Sequence, residues 1–166
     1  LVSACAGYFH ARLMELLERK RTVRIGIAWG WGSLEILRDL KKMEKEGIIS
    51  KPDFQGYSII WSPLIGSITA MLTEREASII SEGFCKFYGG KVEAITCAGF
   101  ASRMTEFPEA VKALIRSLES ADLILTSAAP WEADTALIRE TGLSKKYFPG
   151  FNEADGLVSG VFINEG

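Results

Sequence analysis

The segment RIGIAWGWGSLE (24–35) sets Gly30, Gly32 and Ser33 where a short apolar run gives way to a helical pattern. Glycine tolerates positive φ and lets another group approach the backbone closely. Serine is a favoured helix N-cap, and the amides and positive dipole end of the helix would then face one point, which suits a phosphate. A turn that only packs the helix is the plainer reading of the same residues. The dinucleotide fingerprint needs a further glycine that is absent here, and no Gly-Lys-Ser/Thr loop occurs. Trp31, between the two glycines, is the tryptophan to watch as a ligand platform, whereas Trp29, Trp61 and Trp131 read as core.

In an open parallel sheet ligands bind beyond the carboxyl ends of the strands, so the residues after each apolar run carry the rest of the argument. The second run is followed by SPLIGS, with Gly66 and Ser67; the third by CAGFASR, with Ser102 and Arg103; the fourth by TSAAP, with Thr126 and Ser127. Hydroxyls, glycine amides and one guanidinium fit a polyhydroxylated, anionic small molecule. Acid/base machinery is sparse. Cys97 follows a strand, but the chain's single histidine, His10, lies in the first helix. Glu153 and Asp155 are the candidate carboxylates, and Asp122 precedes its strand and so belongs at the opposite sheet edge. No catalytic set, metal site or cofactor is expected.

The elements that would position these residues follow from periodicity. An amphipathic helix is predicted over 1–20, carrying Ala6, Phe9, Leu13, Leu16 and Leu17. A buried strand runs from Val23 to Ala28. A helix over 33–46 turns Leu34, Ile36, Leu37 and Leu40 inward and stops at Gly47. A strand over 57–61 ends before Pro63, and a helix over 74–88 buries Ala77, Ile80, Phe84 and Phe87 ahead of Gly89-Gly90. Strands over 91–97 and 121–127, helices over 108–119 and 131–140, and a strand or strand pair over 156–164 complete the series. Such alternation predicts one α/β domain, a parallel sheet with helices on both faces in three layers.

Composition bounds the function. With 48% hydrophobic and 24% charged residues in 166, the chain can bury a core and is not disordered. A net charge of -2 lacks the basic surface of a free-standing nucleic-acid binder; Arg19-Lys20-Arg21 with Arg24, and Lys41-Lys42, read as solvated helix ends. Three separated cysteines, Cys5, Cys85 and Cys97, offer no disulfide framework and imply a reducing, cytoplasmic setting. No secretory signal is visible, and the apolar stretch 57–72 is interrupted by Ser, Pro, Gly and Thr, so no membrane span is expected. Both ends read as cut, as in an excised domain.

The ordered set RIGIAWGWGS, IIWSPLIGS, ADLILTSAAP and DGLVSGVFINEG, with the opening helix ACAGYFHARLMELL, resembles the sugar-binding effector domain of the SorC family of bacterial transcriptional regulators across almost the whole chain. The resemblance implies a Rossmann-like fold similar to that of ribose phosphate isomerase and glucosamine phosphate deaminase. It implies a phosphorylated sugar as effector, oligomeric association, and DNA contact through a domain absent from this chain. Carried over by position, Gly30, Trp31, Gly32 and Ser33 would hold the phosphate, and Gly66, Ser67, Ser102, Arg103, Thr126 and Ser127 would line the remainder. The family's phosphate loop commonly has threonine where this chain has Gly32 and Ser33, and its acidic residue near 155–158 falls on Leu157, with Asp155 two residues earlier. The family's ligand-contacting lysine lies in a C-terminal portion beyond Gly166. A sugar-phosphate isomerase or deaminase of the same fold is the alternative, with Asp155 as its base.

Overall fold

A computed structural model describes residues 1–52, 56–64, 76–93, 112, 116, 119–126, 128–130, 156–158 and 161–163. Helix α1 (Val2–Arg19) leads into strand β1 (Thr22–Ile27), followed by α2 (Trp31–Lys45), β2 (Ser58–Pro63), α3 (Ala77–Tyr88), β3 (Lys91–Val92) and β4 (Leu123–Leu125). These strands form one parallel sheet in the order β3-β2-β1-β4. Three further strands, β5 (Ala128–Pro130), β6 (Gly156–Val158) and β7 (Val161–Ile163), form a separate antiparallel sheet in that order. The α/β class expected from the alternation is therefore the observed one.

The core explains why the helices sit where they do. Alternate residues of β1 and β2 (Val23, Ile25, Ile27, Ile59, Trp61) are buried on one sheet face against Phe9, Leu13 and Leu17 of α1, Leu37 and Leu40 of α2, and Ile80, Phe84 and Tyr88 of α3. Burying a side chain of this size contributes roughly 1.5–3 kcal/mol, so this face dominates the stability of the described residues. Trp61 lies at its centre, fully buried, stacked on Phe84 and Tyr88, with its indole N–H donating to the Gly89 carbonyl at 2.8 Å. Helices α1, α2 and α3 pack side by side on this face, and Ser3 of α1 donates to Asp39 of α2 at 2.6 Å. In the connection from β3 to β4, Lys112, Arg116 and Glu119 are helical.

The second face is mixed, with Ala28, Ile60 and Leu64 buried on it beside a small polar cluster. Arg24 of β1 reaches Glu93 at 2.8 Å, and Ser62 of β2 donates to the same carboxylate oxygen at 3.0 Å. In the basic run around residue 20, Arg19 at the end of α1 pairs with Glu15 at 2.7 Å and Lys20 with Asp122, whereas Arg24, expected with them as part of a solvated helix end, is half-buried in β1 because its strand places it beside Glu93.

Several boundaries move for physical reasons. Helix α2 begins at Trp31, not Ser33, and its N-cap is Gly30, whose φ of 118° only glycine adopts without strain. Ser33 is therefore not the cap but the third residue of the first turn. Gly32, inside that turn, is not among the glycines with positive φ. Strand β2 continues through Pro63, which pairs with Ile27 at the end of the ladder. The AAP of TSAAP, read as part of a strand-end loop, is strand β5, with Pro130 at the edge of its sheet. The end of the chain is a strand pair, β6 and β7. Residues 94–97 and the helix expected over 131–140 lie outside the described residues.

Candidate functional site

In the order β3-β2-β1-β4 the chain runs outward in one direction from β1 through β2 to β3, and β4 returns to the other side of β1. The carboxyl ends of β1 and β4 thus form the topological switch point where an open sheet receives a ligand. The strands stay in register to their ends, with Ile27 opposite Leu125. The Ala28 amide donates to the Leu125 carbonyl at 2.9 Å, and on the other side the Leu64 amide donates to the Ile27 carbonyl at 2.9 Å. The chain leaving β1 is thereby fixed between its neighbours before it turns at Gly30.

Helix α2 starts immediately beyond. No side chain caps it, and its first turn holds no acidic residue, so its leading amides keep their pull on an anion. Ser33 is 1% exposed, and its hydroxyl has no hydrogen-bond partner within the protein. Side chains in a helix lean toward its N-terminus, which directs this hydroxyl back toward the switch point. A buried hydroxyl without a partner costs about 1–3 kcal/mol, so its retention there calls for a reason. Trp31, in the same turn, is 44% exposed, and Thr126, the first residue after β4, is exposed.

Of the residues expected at the site, Gly30, Trp31, Gly32, Ser33 and Thr126 lie at these two adjacent strand ends. Gly66, Ser67, Ser102, Arg103, Ser127 and Asp155 lie outside the described residues. Glu76, which the sequence reading passed over, caps α3 at the same edge through its carbonyl, which accepts from the Ile80 amide at 2.9 Å, and is 5% exposed. Its only sequence signal is an acid directly ahead of an apolar helical run.

The opposite edge behaves as expected for Asp122. Its carboxylate accepts from the Arg24 amide at 2.8 Å and pairs with Lys20, while its own amide donates to the Arg24 carbonyl at 2.8 Å. Partial burial pushes this carboxyl up, but the bonds from Lys20 and Arg24 outweigh it and hold its pKa below the ordinary value. His10 takes a packing role: its Nδ1 and the Tyr88 hydroxyl lie 2.8 Å apart with the rings stacked. Burial holds the imidazole pKa low and the phenol pKa high. Among the described residues no cluster of three metal-ligating side chains occurs, and no helix is long and apolar enough to cross a membrane.

No protein-family model and no curated protein matches the sequence. Solved structures do match its fold, among them bacterial transcriptional regulators. A transcriptional regulator from Streptococcus pneumoniae TIGR4 superposes with a TM-score of 0.72 at 10% identity, over 98% of this chain and 60% of its own. The full-length sorbitol operon regulator SorC from Klebsiella pneumoniae gives 0.66 at 15% identity, over 93% and 50%. A domain of a possible sugar-binding transcriptional regulator from Arthrobacter aurescens TC1 gives 0.66 at 17% identity, over 98% and 59%. The chain spans about 50–60% of these structures. At such identities the likeness is one of fold.

Proposed function

We propose that this chain is the effector-sensing, sugar-binding domain of a transcriptional regulator of the SorC type, and that its effector is a phosphorylated sugar seated where β1 and β4 part. The observation that carries the reading is the buried, unpartnered Ser33 hydroxyl in the first turn of α2, behind a glycine N-cap. A phosphate oxygen there would accept from that hydroxyl and from the leading amides together. Thr126 would meet the sugar from β4, with Gly66, Ser67, Ser102, Arg103, Ser127 and Asp155 as further lining. The likeness to regulators whose printed descriptions include sugar binding supports the same assignment. The domain binds without turnover, works in the cytoplasm as a homo-oligomer, and reaches DNA through a separate domain.

A thermal-shift panel of sugar phosphates, their parent sugars and inorganic phosphate tests this. A ligand present at a hundred times its Kd stabilises by about 2.7 kcal/mol, which for a domain of this size raises Tm by about 5–10 °C. The expected result is a shift with one phosphorylated sugar that its parent sugar does not give. No shift with any member at millimolar concentration refutes the proposal, and product formation from a sugar phosphate would mark an isomerase or deaminase instead.

A further inference from the structure

Helices α2 and α3 each follow a strand of the one parallel sheet and pack on the same face, so they run in the same direction. They touch with no side chain of α3 between them: a Cβ on Gly83 would fall 2.5 Å from Leu37 Cδ2. Seven residues make about two helical turns, a rise of about 10 Å that returns to the same face. Gly30, the N-cap of α2, precedes Leu37 by that interval, and Glu76, the N-cap of α3, precedes Gly83 by the same one. The two helix ends therefore stand level at the carboxyl edge of the sheet, on facing sides of helices whose axes lie about 8–10 Å apart. Ser33, one turn before Leu37, shares that side of α2.

The level ends differ in charge. The end of α2 has a glycine N-cap and no acid in its first turn, whereas α3 begins on an acid. Glu76 is 5% exposed, and α3 takes only its carbonyl as a cap, not its carboxylate. Acids are seldom buried so far, and the positive end of α3 favours the charged form. We infer that Glu76 is a specificity-determining residue of the effector site: it accepts from hydroxyls of the sugar whose phosphate lies at the end of α2, and it turns away a second phosphate. The inference rests on the reading of the α2 end as an anion site. It narrows the ligand class to sugar monophosphates that keep free hydroxyls away from the phosphate. An ionised carboxylate has no proton to offer a phosphate oxygen and repels its charge, whereas a hydroxyl donates to it in a charge-assisted bond. A carboxylate accepts at about four positions, so bonds made within the protein leave room for a ligand's hydroxyl.

The test uses the whole chain as wild type, Glu76→Gln and Ser33→Ala. Calorimetric titration is run with glucose 6-phosphate and glucose 1,6-bisphosphate, fructose 6-phosphate and fructose 1,6-bisphosphate, ribose 5-phosphate and ribose 1,5-bisphosphate, and inorganic phosphate. The wild type is expected to bind one monophosphate at least about tenfold more tightly than its paired bisphosphate and than inorganic phosphate. Glu76→Gln keeps the size of the side chain and removes its charge. It should weaken that monophosphate about tenfold, strengthen the paired bisphosphate about threefold, and leave inorganic phosphate within about twofold. A merely structural role would weaken all three together and lower Tm, so the opposite movement of the pair is what marks a contact with the ligand. Preference for a bisphosphate over its monophosphate in the wild type overturns the inference. So does a Glu76→Gln that leaves their ratio unchanged, and so does inorganic phosphate binding as tightly as every monophosphate. Failure of the underlying anion site reads differently: inorganic phosphate does not bind the wild type, or Ser33→Ala binds it unchanged.

Discussion

Removing the Ser33 hydroxyl should make the free protein more stable and the sensor worse. Ser33 is 1% exposed and Ser81, on α3, is fully buried; neither hydroxyl has a partner within the protein. A buried hydroxyl left unsatisfied costs about 1–3 kcal/mol, and alanine forms helix about 0.5 kcal/mol more readily than serine. Against this stands a small loss of packing from one deleted oxygen. Ser33→Ala and Ser81→Ala should therefore each stabilise the ligand-free protein by about 1 kcal/mol, a rise of about 2–4 °C in Tm. Their effects on binding should diverge. Ser33→Ala removes a donor that a phosphate would use and should weaken phosphate-ester binding about tenfold, since hydrogen bonds to charged groups contribute about 1.5–3 kcal/mol. Ser81→Ala, in mid-helix, should bind as the wild type does. Urea unfolding with and without ligand measures both quantities, provided the slope stays constant across variants. If Ser33→Ala destabilises the free protein, its hydroxyl is satisfied there and the argument from an unpartnered donor fails. If it stabilises but binds normally, the hydroxyl is not part of the site.

Three further outcomes follow from the packing. Burial holds His10 below its ordinary value near 6.5, so the unfolded chain takes up the proton first as pH falls; that stability is present above about pH 6.5 and is lost below it. His10→Gln should therefore show a flatter Tm between pH 7.5 and 5.5 than the wild type, and parallel curves would refute this. Gly90 has a φ of 97°, and a Cβ there would fall on the Ile59 carbonyl, so Gly90→Ala should lose about 3 kcal/mol in urea unfolding; a loss under about 1 kcal/mol would contradict it. Asp122→Ala, at the far sheet edge, should cost about 1–2 kcal/mol at pH 7 and leave ligand affinity unchanged. The wild type's advantage over this variant should vanish in acid, because a depressed carboxyl pKa stabilises above the unfolded value and is neutralised as pH falls through the folded one.

The sequence was most readable where one face of an element is buried. The residues expected to face inward on α1, α2 and α3 are all buried, because a 3.6-residue period is imposed by burial itself, while Ser33, Ser81 and Tyr88 are buried beside them without having been expected. The placement of Asp122 at the edge away from the carboxyl ends of the strands followed from its position before a strand. Caps were less readable: Ser33 has the right chemistry for an N-cap, but Gly30 supplies a backbone angle serine would resist, and the helix starts two residues earlier. Strand β5 was hidden because Ala-Ala-Pro carries no alternation and pairs only through the distant β6. Nothing local distinguishes the exposed Trp31 from the buried Trp61; that difference depends on which element each belongs to and what packs above it.

The seam at the switch point also bears on how the chain assembles. Strands β1 to β3 and helices α1 to α3 lie within the first 92 residues, so this block can gather its core soon after synthesis. Strand β4 must then return over residues 93–122 to add a three-residue ladder against the six-residue ladder of β1 and β2. Closing that loop carries an entropic penalty that the short ladder offsets only weakly, making β4 a late arrival and the first strand to detach. A molecule held by both Ser33 and Thr126 would act as a rivet across that joint. Its arrival would be read in the slowed amide exchange of Leu123–Leu125, while the interior amides of β2 stay as they were.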